Sequence, residues 1–314
     1  MKKVSIAIVG LGKIARDQHV PVIAADSRFE LAGIVSTSGQ TVGGVPTFAT
    51  QAECFAALPK LDAVALCTPP GVRHAHALEA IAAGKHVLLE KPPAGTISEA
   101  EHLVSAAANK GVTLFATWHS RFNLAVKEAK KRLAGQKIKI LRIDWKEDVR
   151  RWHPGQDWVF KAGGFGVFDP GINALSILTE IVAGPVFATA AELVTPENRE
   201  TPIAASISFA APLAAAPGAS MTAEFDWRQQ GSEIWTIAIE TDRPEQLSLT
   251  HGGSKLFVDG KLAAEAPPAE YAGIYRRFGA LIDSRTSEAD LAPLRLIADA
   301  ALCGRHRATA AFHW

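Results

Sequence analysis

Residues 4–9, VSIAIV, form a short apolar run that leads straight into "GLGKIA", Gly10 to Ala15. Such a run reads as a strand buried on both faces, and the glycines as a tight turn into a helix. The spacing is a G-x-G-x-x-A form of the dinucleotide fingerprint. Gly10 would allow the turn, Gly12 would let a pyrophosphate approach the backbone, and Ala15 would let the helix pack closely. The positive end of the helix favours the negative charge. Gly10, Gly12, Lys13 and Ile14 are therefore the first candidate cofactor contacts. A glycine-rich turn without a ligand is the weaker reading, because the motif lies between a predicted strand and a predicted helix.

The same rhythm continues. Strands are predicted at Phe29 to Ser36, Asp62 to Thr68, "KHVLLEK" and "VTLFATW". Helices are predicted over "RHAHALEAIAAG" and "SEAEHLVSAAANKG", closed by Gly84 and Gly111. This alternation predicts an α/β N-terminal Rossmann domain with a doubly wound parallel sheet over residues 1–120. After the amphipathic stretch "LAVKEAKKRLAG" the pattern changes to long alternating runs, among them "KIKILRIDWKED", "PVFATAAELVTP", "ASMTAEFDWRQ", "EIWTIAIETD" and "EQLSLTHGGSKLFVDG". Helices are expected only after Asp169, around Tyr271 to Arg285 and around Pro293 to Arg305. Residues 121–314 thus read as an α+β C-terminal domain with a large, mostly antiparallel open sheet, for substrate binding and oligomerisation.

Composition excludes several classes. The 314 residues suffice for two cores, and 33 Lys and Arg against 32 Asp and Glu leave a net charge of +1. That balance provides no field for nucleic acid or an anionic membrane. No apolar stretch reaches the roughly eighteen residues of a membrane span. The basic, apolar N-terminus is interrupted by Gly10, Gly12 and Lys13, which argues against a signal peptide. Cys54, Cys67 and Cys303 form no metal or redox motif and suit a reducing, cytoplasmic setting. His74, His76, His86 and His102 lack a metal-ligand pattern with a carboxylate, so no metal is assigned.

After the second strand comes "VSTSGQ", where an NAD site usually carries an acidic residue for the ribose. Ser36 and Thr37 offer hydroxyls instead. No carboxylate there repels a 2′-phosphate and no arginine clamps one, so NADP, NAD or both are expected. A second stretch, "GGFGVFDPGINALSIL" (163–178), joins a glycine-rich turn to a helix start. Asp169 suits an N-cap and Pro170 the first helical position. Asn173, four residues on, would share a face with Asp169. Asp169 either only caps the helix or also faces a substrate.

The stretch "AGKHVLLEKP" (83–92), with the Thr68-Pro69 turn and the glycine-rich run ending at Asp169, resembles the glucose–fructose oxidoreductase / inositol dehydrogenase / rhizopine-catabolism (Gfo/Idh/MocA) family of NAD(P)-dependent oxidoreductases. The resemblance implies that Lys91 reaches the nicotinamide and the reacting carbon, and that Thr68, Pro69 and Glu90 lie along the cofactor. Asn173 stands where most of the family has His. "GKIARDQHVP", "LFATWHSRF", "WKEDVRRWHPGQDW" and "GVFDPGINALSI" are similar to a branch that oxidises the anomeric hydroxyl of aldoses to aldonolactones, and that shares this Asn. The likeness runs from residue 1 to about 230. It implies an aldose substrate, D-galactose first, with L-arabinose and D-fucose related, and a homodimer formed through the sheet face.

Oxidising a hemiacetal needs a hydride acceptor, a proton acceptor and polar groups that fix the remaining hydroxyls. Lys91, Asp169 and Asn173 are the catalytic candidates, with Asp169 as base, Asn173 orienting the hydroxyl and Lys91 stabilising developing negative charge. A nearby ammonium also weakens a carboxylate base, so Lys91 itself in neutral form and His153 remain alternative bases. His119, Glu147, Trp152, His153 and Trp227 are the expected sugar contacts, since sugars stack C–H faces on aromatic rings and bond through their hydroxyls. For His119 and Trp227 a purely structural place fits nearly as well. The competing functions are a family dehydrogenase acting on a cyclitol or another sugar carbon, and a non-catalytic cofactor-binding sensor.

Overall fold

The computed structural model of the chain describes residues 3–314. The chain forms two compact units, Met1–Trp118 with Tyr271–Leu291, and His119–Glu270 with Ala292–Trp314. The first unit is built on six parallel strands: β1 (Val4–Val9), β2 (Phe29–Val35), β3 (Thr47–Phe48), β4 (Ala63–Leu66), β5 (His86–Leu89) and β6 (Leu114–Ala116). Their order is β3-β2-β1-β4-β5-β6, the doubly wound arrangement the sequence predicts. The direction of winding reverses between β1 and β4, and ligands of open α/β sheets bind outside the carboxyl ends of strands at such a point. The turns that follow these two strands carry Gly10 and Thr68.

Helices α1 (Val20–Ala25), α2 (Gln51–Ala57), α3 (Pro70–Ala82) and α4 (Ile97–Lys110) connect these strands. A single π-type turn, Ala15–His19, precedes α1, with the Val20 amide reaching the Ala15 carbonyl five residues back. Thr96 and Glu99 form a capping box at the start of α4. Gly111 follows α4 at φ +72°, a conformation that favours glycine.

The second unit holds a nine-stranded sheet: β7 (Ile138–Lys146), β8 (Phe187–Pro196), β9 (Ala204–Ala210), β10 (Ala215–Asp226), β11 (Ile234–Thr241), β12 (Gln246–Thr250), β13 (Lys255–Val258), β14 (Lys261–Glu265) and β15 (Gly304–Thr309). The order is β14-β13-β12-β11-β7-β10-β9-β8-β15. Only β7–β10 and β8–β15 pair in parallel, so the sheet is mostly antiparallel, as expected. The remaining helices of the chain are α5 (Leu124–Leu133), α6 (Val149–Trp152), α7 (Phe168–Ile181), α8 (Glu270–Ser284) and α9 (Ala292–Cys303). Within the second unit, α7 packs on β7 and against α5 and α9, and α9 packs on β8. Leu141, Ile143 and Trp145 of β7 and Met221, Ala223 and Phe225 of β10 are buried. Alternating with them, Arg142, Asp144, Lys146, Glu224 and Asp226 stay at least partly open to solvent. Among the described residues no helix is long and apolar enough to cross a membrane.

Three expectations are corrected. The single second domain over 121–314 fails because Tyr271–Leu291 belongs to the first unit. The reason is aromatic packing: Phe278 of α8 stacks 6.3 Å from Phe29 and 6.3 Å from Phe115. Glu288 then covers the edge of β6, donating its amide to Leu114 and accepting from the Ala116 amide, each at 2.9 Å. The run 245–260 is not one strand, since a short 3-10 turn, His251–Gly253, separates β12 from β13. The last helix stops at Cys303, and Gly304–Thr309 forms β15. Its Arg305, His306 and Arg307 show no apolar alternation, because they lie exposed on a sheet edge held by backbone pairing.

A Cβ on Gly171 of α7 would lie 2.9 Å from the ring of buried Phe225. Gly171→Val is therefore expected to destabilise the protein by roughly 1–3 kcal/mol through overpacking. Urea unfolding measures it; an unchanged midpoint would show that α7 is not tightly seated on β10.

Candidate active site

The register of three central strands decides which side chains meet in the second unit. Trp145 of β7 lies opposite Phe225 on β10 and Trp235 on β11. Two residues on, the Glu147 amide donates to the Asp226 carbonyl at 2.9 Å. Its carboxylate, in a residue only 4% exposed, accepts the Trp227 indole N–H at 3.2 Å on Oε1 and the Trp235 indole N–H at 2.9 Å on Oε2. Burial pushes the Glu147 carboxyl up to about 7. The two indole hydrogen bonds and His153 oppose that rise, and Asp169 adds to it.

Asp148 then caps the short helix α6, accepting the Arg150 amide at 2.9 Å. This turns the chain so that Trp152, 37% exposed, comes 5.5 Å from the Trp235 ring. His153 follows directly. Its Nε2 lies 3.2 Å from Asp169 Oδ2, and its Nδ1 3.4 Å from Gln156 Oε1, a weaker contact. The imidazole is bracketed by Trp227 at 5.5 Å and Trp158 at 6.2 Å. Trp227 is completely buried. It donates its indole N–H to Glu147 and its ring lies 5.5 Å from that of His153.

Asp169 is not the helix cap that the sequence suggests. Helix α7 starts at Phe168, Val167 flanks it, and no side chain caps it. The preceding turn is already continuous with the helix, for the Asp169 amide donates to the Gly166 carbonyl at 2.9 Å. The carboxylate is thereby released toward His153. The glycines before it are required: a Cβ on Gly164 would collide with the Trp158 and Val159 carbonyls, and one on Gly166 with the Pro202 carbonyl. Asn173, half-buried, lies one turn along α7 from Asp169. His119, half-buried, opens a 3-10 turn, His119–Phe122, at the start of the second unit. Trp235 and Trp158 were not among the sequence candidates. Trp235 sits in an alternating strand, and only the register places its indole on Glu147.

The first unit supplies the nucleotide end. Gly10 has φ +91°, and a Cβ there would stand 3.0 Å from the Thr68 amide nitrogen, so only glycine fits this turn. At Gly12 a Cβ would meet nothing within 4 Å, which leaves the open space a pyrophosphate needs. The buried Thr68 hydroxyl finds no hydrogen-bond partner among the described residues. An orphaned donor beside an open glycine turn fits a bound dinucleotide. Ile14 and Pro69 are exposed, and Lys13 is paired with Asp17. Ser36 and Ser38 share a hydrogen bond at 2.9 Å, and Thr37 is exposed between them. The Lys91 amide donates to Glu90 Oε2 at 3.0 Å. Glu90 is buried, and its Oε1 accepts from the Tyr271 hydroxyl at 2.9 Å.

Residues 4–117 match the family profile described as oxidoreductase family, NAD-binding Rossmann fold (GFO_IDH_MocA). Over the full length of both chains the protein is 41% identical to galactose 1-dehydrogenase of Pseudomonas fluorescens. Among solved structures, the D-galactose-1-dehydrogenase protein from Rhizobium etli superposes with a TM-score of 0.94 at 50% identity, covering 100% of this chain and 99% of that one. The 3-ketoreductase KijD10 from Actinomadura kijaniata, solved with NADP and TDP-benzene, superposes with a TM-score of 0.81 over 98% of this chain and 100% of that one. At 16% identity it shows the shared fold alone.

The raised Glu147 carboxyl makes stability depend on pH. Below about pH 4.5 the group is protonated in both folded and unfolded chains; between about 4.5 and 7 only the folded chain holds the proton. Stability therefore falls as pH rises through that window, by about 2–3 kcal/mol from this residue. Glu147→Gln is expected to flatten the fall in urea midpoint between pH 5 and pH 8. An equal fall in the variant would assign it to other groups.

Proposed function

The chain belongs to the Gfo/Idh/MocA family of oxidoreductases, and from that premise we propose that it oxidises the anomeric hydroxyl of an aldose, D-galactose above all, to the aldonolactone. L-arabinose and D-fucose are the related substrates of this reading. D-galactose and L-arabinose share their hydroxyl configuration at C2 to C4, so one set of polar groups serves both. The observation that carries the proposal is the pairing of Asp169 with His153 beside a carboxylate held between two indoles.

Each residue then has a task. Asp169, oriented by His153, accepts the C1 hydroxyl proton, and Asn173 on the same helix face holds the hydroxyl in line. Glu147, kept protonated part of the time near neutral pH, can both donate to and accept from a sugar hydroxyl. Trp152 offers the exposed ring face for sugar C–H groups, and His119 is assigned to a further hydroxyl. A bound NAD(P)⁺ supplies the hydride acceptor, held by Gly10, Gly12, Thr68 and the Ser36–Thr37 turn. The hydroxyl-rich turn after β2 accommodates a ribose or a 2′-phosphate, which supports use of either nucleotide. Lys91 provides positive charge at the nicotinamide end.

In this reading the enzyme works in the cytoplasm as a homodimer joined through the nine-stranded sheet. The outward, alternating polar side chains around Arg142 and Asp144 support that arrangement.

Absorbance at 340 nm tests the reaction, with D-galactose, L-arabinose, D-fucose, D-glucose and myo-inositol, each with NAD⁺ and NADP⁺. Turnover is expected with D-galactose, L-arabinose and D-fucose, and Asp169→Asn should lower kcat by about 10²-fold or more. Cofactor binding without turnover of any aldose would defeat the reading. For the dimer, light scattering should give twice the chain mass for the wild type. Thr222 and Ala238 flank Arg142 in the register. Thr222→Arg with Ala238→Arg, which sets three guanidinium groups side by side, should give monomers; a monomeric wild type would refute the dimer.

A further inference from the structure

The first unit contains a buried polar cluster that the reaction above leaves without a task. Glu90 Oε1 accepts from the Tyr271 hydroxyl at 2.9 Å and lies 3.0 Å from His19 Nε2. Glu90 Oε2 accepts the Lys91 amide at 3.0 Å. His19 Nδ1 lies 2.8 Å from the Tyr275 hydroxyl. All four side chains belong to buried residues. The members come from three distant parts of the chain: the π turn after the glycine fingerprint, the end of β5, and α8.

Burying a carboxylate, an imidazole and two phenols is costly unless each is paired. Packing alone would be served as well by apolar groups of similar shape, so the polar choice asks for another reason. The pairing has one consequence at the surface of the unit: it fixes the main chain at Lys91. Glu90 holds the Lys91 amide, while the Arg73 guanidinium donates to the Glu90, Pro92 and Thr68 carbonyls. The peptide group that leads into Lys91 is thus held at both ends, its N–H by the Glu90 carboxylate and its C=O by Arg73, and Arg73 also holds the Pro92 carbonyl one residue beyond.

We propose that Glu90, His19 and Tyr271 are positioning residues that set the main chain of Lys91, and so the placement of its ammonium. This rests on the catalytic role given to Lys91 above. The charge states agree. Burial lowers His19, but Cys67, Tyr275 and Glu90 outweigh it and hold the imidazole well above its usual range. Burial chiefly, with Glu90 next, raises the Tyr271 hydroxyl, so it stays a donor at working pH. The geometry also links the fingerprint helix, through His19, to the strand end that carries Lys91. A change at the far C-terminal part of the chain, in α8, would then reach the nicotinamide end without touching any ligand.

The test uses the full-length protein with Tyr271→Phe, which preserves shape, and Glu90→Gln. Aldose kinetics, NAD(P)⁺ affinity and thermal midpoint are measured together. The expected result is a kcat lowered about tenfold in Tyr271→Phe and about a hundredfold in Glu90→Gln, with KM and cofactor affinity changed less than about threefold. A kcat within about twofold of wild type in both variants overturns the proposal. So does a parallel fall of kcat, affinity and thermal midpoint, which marks a scaffold role only. Independently of turnover, the ¹³C-dimethyl resonance of reductively methylated Lys91, assigned by its loss in Lys91→Arg, should be displaced in Tyr271→Phe. An inactive wild type would defeat the functional reading instead, and that resonance alone would then decide this one: displaced in support, unmoved against.

Discussion

The pairing of β7 with its two neighbours is the constraint on which the second unit depends. With Trp145 opposite both Phe225 and Trp235, Glu147 falls between the indoles of Trp227 and Trp235. A slip of one residue would send these side chains to the opposite face of the sheet. The same register delivers the chain to α6 at the angle that brings His153 onto Trp227, and from there onto Asp169. Helix α7, seated on β10 through Gly171, supplies the other half of the pair. The site is thus a product of strand register and one close helix–sheet contact.

Buried charge is used in opposite ways in the two units. In the second, Glu147 is desolvated and meets neutral indole donors, so its carboxyl rises to about 7 and can exchange a proton near neutrality. In the first, Glu90 is equally buried but meets an imidazole and a phenol on Oε1 and a backbone amide on Oε2, so both carboxylate oxygens are engaged. The surroundings of Glu147 suit a group that exchanges a proton, and those of Glu90 suit one that holds still. Both carboxylates lie one residue past the end of a β-strand, where the sheet still sets the backbone and the side chain meets residues from elsewhere.

Much of this was legible in the sequence for identifiable reasons. The fingerprint was readable because the steric demand at Gly10 is local: a positive φ and a close approach to Thr68 admit only glycine. The parallel sheet was readable from apolar runs spaced by helices, and the mostly antiparallel sheet from period-two alternation. Glu147, His153 and Asp169 could be picked out by residue type, and the structure brings His153 within 3.2 Å of Asp169. Asp169 was readable as special but not in its true place, since a cap and a first-turn residue differ by a turn that Gly166 decides.

What the sequence by itself determined, then, is whatever depends on neighbours along the chain: element type, the glycine turns, the cofactor fingerprint and the chemical character of the candidate groups. Only the tertiary structure decided which of them meet. Trp235 finds Glu147 across 88 residues, and Tyr271 finds Glu90 across 181. The return of α8 to the first unit and the edge strand β15 belong to the same class. Local patterns report burial and backbone conformation. Contacts between distant segments are set by register and packing, and these depend on the whole fold at once.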